Sequence, residues 1–169
     1  MTSVGSLIRL EGLVAPPDYP VGGDGDWKRF WSVNGFKPPE DYTMLIREYG
    51  VGTFAGWLRI IEPFDHTRPF VDLADAMTRR LPPSPGQSVW PDPGGFLPWA
   101  QTVTGDFVGW RTNGRPNNWT IVYWDRQGTC TDFDTDAIGF LVAVAAGDIT
   151  VDGGNPFSKG RKAFEPIEE

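Results

Sequence analysis

The densest run of side chains able to do chemistry is Asp132-Phe133-Asp134-Thr135-Asp136, three carboxylates at alternate positions. Such alternation opens a calcium loop, which needs Gly at its sixth place for a sharp turn and a bidentate Glu at its twelfth. Those places hold Ala137 and Ala143. The same five residues have the outline of an aspartyl-nucleophile motif, but no apolar parallel strand leads into them, and Asp136 stands where Thr or Val belongs. The reading that remains is a helix N-terminus set in a solvated acidic surface.

Other candidates are sparser. Asp106 and Asp125 flank Trp-rich segments, where a sugar-processing carboxylate pair could sit, although Asp beside a turn is more commonly structural. His66 is the single histidine and so the one usual partner for a nucleophile, yet it lies in Pro63-Phe64-Asp65-His66-Thr67-Arg68-Pro69, which reads as a loop. Cys130 has no cationic neighbour in sequence to lower its pKa and reads as a small packing residue. One Cys and one His make neither a zinc set nor an internal disulfide, and no nucleophile elbow, phosphate loop or metalloprotease helix motif occurs. The expectation is a protein without metal, cofactor or catalytic residues.

Tryptophan is the remaining resource. Trp57, Trp99, Trp110, Trp119 and Trp124 fall on expected strands or their ends. Trp119 and Trp124 are five positions apart, so a regular strand turns them to opposite faces. One of them is then off the helix-packed side, free to anchor a partner, to stack on a sugar, or to lie under a loop.

The elements that must position these residues follow from periodicity. Residues 1–23 mix Gly, Pro and short apolar pieces and read as a loop or loosely docked arm. Asp24 then caps a short helix with Trp27, Phe30 and Trp31 as its stripe, ending at Asn34-Gly35. Pro38 and Pro39 open a second helix, in which Tyr42, Leu45, Ile46 and Tyr49 recur at helical spacing and Gly50 closes the run. Residues 53–61 read as a strand buried on both faces, and 72–81 as a helix stopped by Pro82-Pro83. The connector from Pro82 to Gly95 holds five of the sixteen prolines and therefore lacks many ladder donors. Strands follow at 96–103, 106–112 and 119–124, with a weaker one at 128–133. The last helix, capped by Asp134 or Thr135, carries Ile138, Leu141, Val142 and Ala145. From Asp152 onward the polar tail is expected to fray.

Strands in succession with helices gathered at both ends predict an α+β fold: a single domain with an antiparallel sheet and helices packed on one face. With 169 residues there is room for one core, and the organisation reads as an arm (1–23), a domain (24–150) and a tail (151–169). The net charge of −7 excludes the footprint of a nucleic-acid binder. Residues 82–154 carry 8 acidic against 3 basic side chains, a bias that would speed encounter with a basic protein. No apolar run of membrane-spanning length and no leader pattern is present, so no membrane partner and a cytoplasmic location are expected.

Two stretches resemble a known family. One is Pro38-Pro39-Glu40-Asp41-Tyr42 with Leu45, Tyr49-Gly50, Gly52 and Phe54. The other is Gly95-Phe96-Leu97-Pro98-Trp99, Gly105-Asp106, Trp110 and Asn113-Gly114-Arg115-Pro116-Asn117-Asn118-Trp119. In order and spacing these resemble the SMI1/KNR4 proteins of the SUKH superfamily, with Pro38 standing where Leu is usual and a proline-rich insert before Gly95. The resemblance implies a non-catalytic α+β domain, in bacteria an immunity protein that neutralises a toxin such as a nuclease or deaminase by binding it. The residues expected to meet a basic toxin are Asp125, Asp132, Asp134 and Asp136 by charge, with Trp119 and Trp124 as aromatic anchors. The alternative is a module binding a carbohydrate or small molecule through strand tryptophans.

Overall fold

The computed structural model describes residues 2–65 and 67–168, so His66 lies outside the described residues. In chain order the elements are α1 (Ser3–Leu13), α2 (Trp27–Asn34), α3 (Glu40–Tyr49), β1 (Gly52–Phe54), β2 (Leu58–Ile60) and α4 (Phe70–Thr78). They continue with β3 (Phe96–Thr102), β4 (Phe107–Arg111), β5 (Thr120–Trp124), β6 (Cys130–Phe133), α5 (Ala137–Ala145) and β7 (Phe164–Pro166). The strands make one antiparallel sheet in the order β6-β5-β4-β3-β2-β1-β7. This is the α+β, single-domain architecture that the element pattern predicts.

Strand alternation divides the sheet's side chains into two sets. Leu97, Trp99, Val108, Trp110, Ile121 and Tyr123 join the main core, to which all five helices contribute buried residues, among them Leu10, Phe30, Tyr42, Phe70 and Leu141. Phe96, Phe107, Val122 and Trp124 point the other way and form a smaller cluster with Leu81. Here only Met77 of α4 reaches the cluster from a helix. The rest of the cover is the proline-rich connector, pinned by backbone bonds from Phe96 N–H to the Ser88 carbonyl and from Trp90 N–H to the Phe96 carbonyl, both 3.0 Å. Gly109 lies between these layers, and any side chain there would collide with the Leu97 backbone and the Phe96 ring, at 2.5 and 2.6 Å.

Three segments differ from the sequence expectation. The first 23 residues are no loose arm: Thr2 caps α1, whose Leu7 and Leu10 are buried against the core, and the Tyr49 hydroxyl donates to the Val14 carbonyl at 2.6 Å. Gly5 and Gly12 weaken the helical signal there, and packing overrides them. The expected strand 53–61 is a hairpin, because Ala55 and Gly56 both take positive φ, and an alanine gives no warning of a turn. The tail is tied down by β7, which pairs with β1. Caps also shift: Asp26 rather than Asp24 caps α2, and Asp136 rather than Asp134 or Thr135 caps α5.

Candidate interaction surface

The acidic residues singled out by charge gather at one border of the sheet. β6 is the edge strand beyond β5. The Asp125 N–H to Thr129 carbonyl bond, 2.9 Å, sets the phase of the β5–β6 ladder, so the backbones of Cys130 and Asp132 face away from β5. Asp125 builds the connecting turn, its Oδ1 accepting from the N–H groups of Gln127 and Thr129 at 2.9 and 3.0 Å. Asp132 is exposed and accepts from Arg111 Nε at 2.6 Å. Arg111 also donates to the Gly94 carbonyl and Gln87 Oε1, so it ties this edge to the connector. Asp134 is exposed and, among the described residues, makes no hydrogen bond or ion pair. Asp136 accepts the Gly139 N–H at 2.8 Å as the α5 cap.

A fifth carboxylate lies beneath this border and was not singled out. Asp41 lies in the first turn of α3. It is buried, 4% exposed, and accepts the Ile138 N–H at 3.1 Å, capping α5 across the fold. Burial, then the neighbouring Asp136 carboxylate, pushes Asp41 up to about 6, against the opposing pull of backbone N–H groups. The local sequence gives no sign of a cap donated from another helix.

The two tryptophans are corrected. Trp119 and Trp124 do face opposite sides of the sheet, as spacing requires, but they are 5% and 4% exposed. Trp119 packs among Phe36, Trp90 and Trp110, and Trp124 is sealed under the connector with Nε1–H donating to the Pro82 carbonyl at 3.0 Å. Neither ring offers a partner a surface in this fold. Trp57, Trp99 and Trp110 are equally buried, so the strands present no stacking platform for a sugar. The most exposed tryptophan is Trp31 on α2, 49% exposed, with Lys37 Nζ 5.4 Å from its ring centre. Spacing had assigned it to the packed stripe of a helix only eight residues long, whose inward face Phe30 and the half-buried Trp27 already fill.

Asp106 and Cys130, two of the residues considered for catalysis, have structural settings. Asp106 is fully buried and accepts from the Tyr123 hydroxyl at 2.6 Å, the Arg126 N–H at 2.7 Å and the Arg126 guanidinium at 3.1 Å. It joins the β3–β4 and β5–β6 turns, a structural use of a carboxylate with every partner supplied. Burial, with the Asp106 carboxylate beside it, holds the Tyr123 phenol well above its ordinary range. Cys130 is half-buried and its thiol is pushed up by burial, away from thiolate reactivity. Among the described residues no group of three His, Cys, Asp or Glu side chains is placed to hold a metal, and no helix is long and apolar enough to cross a membrane.

Residues 26–141 match a family model described as SMI1-KNR4 cell-wall. No curated protein and no solved structure matches the chain.

Proposed function

That match spans more than half of the chain, so the chain belongs to the SMI1-KNR4 family, and on this premise we propose that it is a non-enzymatic immunity protein that binds and neutralises a bacterial toxin. The observation that carries the reading is the open acidic border at β6. A strand edge with unpaired backbone groups is a ready docking line, and the exposed Asp132 and Asp134 deter pairing with an identical acidic edge while attracting a basic one. Toxins that act on nucleic acid carry basic surfaces for their substrate, which this border complements. Binding there places Asp125, Asp132, Asp134 and the flank of Asp136 against the toxin in the cytoplasm of the producing cell. The sugar-binding alternative loses its support with the burial of the strand tryptophans.

The test is co-expression in a bacterial host with the toxin domain encoded beside this chain's gene. The wild-type chain is expected to restore growth and to co-purify with the toxin. Asp132→Asn/Asp134→Lys, which keeps an acceptor for Arg111, is expected to fold and to protect poorly. Failure of the wild-type chain both to protect and to co-purify overturns the proposal.

A further inference from the structure

Where the acidic border ends at the Asp125-Arg126 turn, a cavity of about 200 Å³ opens, lined in part by Trp57, Thr104, Arg126, Asp152, Lys159 and Arg161. Its charge runs against that of the whole chain. Three cations face one carboxylate, on a protein whose net charge is −7. Arg126 is committed, its guanidinium lying 3.1 Å from Asp106 and 3.2 Å from Asp152. Lys159 and Arg161 are not: among the described residues neither makes an ion pair or hydrogen bond.

The backbone around the cavity is built tightly. The hairpin turn at Ala55-Gly56 and the turn at Asp152-Gly153 both place two successive residues at positive φ, including the non-glycine Ala55 at 54° and Asp152 at 49°. Such conformations persist only where the surroundings hold them, and Ala55 is fully buried with its N–H bonded to the Ala163 carbonyl at 2.8 Å. The stem of Arg161 lies over Gly56, where a side-chain carbon would come within 2.7 Å of it, so the glycine sets the path of the arginine. Trp57 follows this turn and lines the cavity. Its ring is 4% exposed, and its Nε1–H is enclosed with no acceptor among the described residues, so the indole serves as wall.

We propose that this cavity binds a phosphate-monoester group, held by Lys159 and Arg161, with the Trp57 side chain as part of the wall. Two uncommitted cations match the charge of about −1.5 to −2 that a monoester carries at neutral pH, and a guanidinium suits its oxygens in a way a single carboxylate would use less fully. The volume exceeds that of the bare group, and the exposed Val103 at the rim gives an apolar contact for a short ester substituent. This site adjoins the proposed toxin-binding border at the Asp125-Arg126 turn but uses none of its carboxylates and does not depend on it.

The experiment titrates the full chain with phosphoserine, inorganic phosphate and, as control, acetate at matched ionic strength, following the indole N–H resonances by NMR and the melting temperature. Phosphoserine is expected to shift the Trp57 resonance, assigned by its loss in Trp57→Phe, with saturation in the millimolar range or tighter. Lys159→Ala/Arg161→Ala, two surface changes, should weaken that binding at least about tenfold while leaving the unliganded spectrum otherwise intact. Inorganic phosphate binding as well as phosphoserine narrows the ligand to the phosphoryl group itself and still supports the site. Acetate acting equally, no saturable shift, or a shift that survives in the double variant overturns the proposal.

Discussion

The two faces of the one sheet are closed by different means. On one side five helices bury Trp99, Trp110, Ile121 and Tyr123 in a continuous core; on the other, a proline-rich connector, joined by Met77 from α4, covers Phe96, Phe107, Val122 and Trp124. Helices bring their own backbone hydrogen bonds, so their contribution to the core is purely the apolar face they present. The connector has few donors of its own to spend and is held by borrowed ones: Trp124 Nε1–H to Pro82, Arg111 to Gln87 and Gly94, and Phe96 N–H to Ser88. The helical side is the stability reservoir, and the connector side is a cover whose attachment depends on single side chains. The acidic border lies where the two meet, since Arg111 holds both the connector and Asp132.

The largest effect expected from this contrast is in paired truncations on β4. Trp110→Ala and Phe107→Ala remove buried rings from opposite faces, and such changes cost about 3–5 kcal/mol. Trp110 is wedged between sheet and helices and should fall at the high end. Phe107 lies under a connector that can settle into the space and should fall at or below the low end. Equal losses in chemical denaturation would break the distinction.

Next in size is the buried carboxylate on the helical side. Asp41 has its pKa raised from 3.8 to about 6 in the fold, so the folded state binds its proton more readily than the unfolded chain. Its sign is therefore unfavourable to stability as pH rises: the handicap is absent below about pH 4 and grows to on the order of 3 kcal/mol above pH 6. Asp41→Asn keeps an oxygen to accept the Ile138 N–H and removes the ionisation. The variant should gain on wild type progressively between pH 4 and 7, and a constant difference across that window would contradict the assignment. The smallest effect is expected at the cover. Trp124→Phe deletes the bond to Pro82 and should cost about 1 kcal/mol, with faster amide exchange concentrated in residues 82–95 and little change in α3 or α5.

The same contrast explains what the sequence disclosed. α3 was legible because its stripe is local and its ends are punctuated by Pro39 and Gly50, and the opposite facing of Trp119 and Trp124 follows from strand geometry alone. What covers Trp124 was not legible, because a proline-rich run announces the absence of ladder bonds and says nothing about where it lies. The roles of Asp41 and Asp106 were hidden for a related reason: each serves a backbone or side chain remote in sequence, Ile138 for one and Arg126 for the other. α1 was obscured by its two glycines, and the β1–β2 turn by an alanine doing a glycine's work. At the border, composition located the acidic stretch, but only the strand order reveals that it runs along an open edge.

We propose that this edge meets a basic partner by charge and strand pairing. Its most direct test is the association rate constant with the toxin domain, measured at about 50 and 200 mM salt for the wild-type chain and for Asp132→Asn/Asp134→Lys. Fast association that slows steeply with salt is expected for the wild type, and at least about a tenfold slower rate with a weaker salt dependence for the variant. Identical rates and identical salt dependence in the two proteins would contradict it.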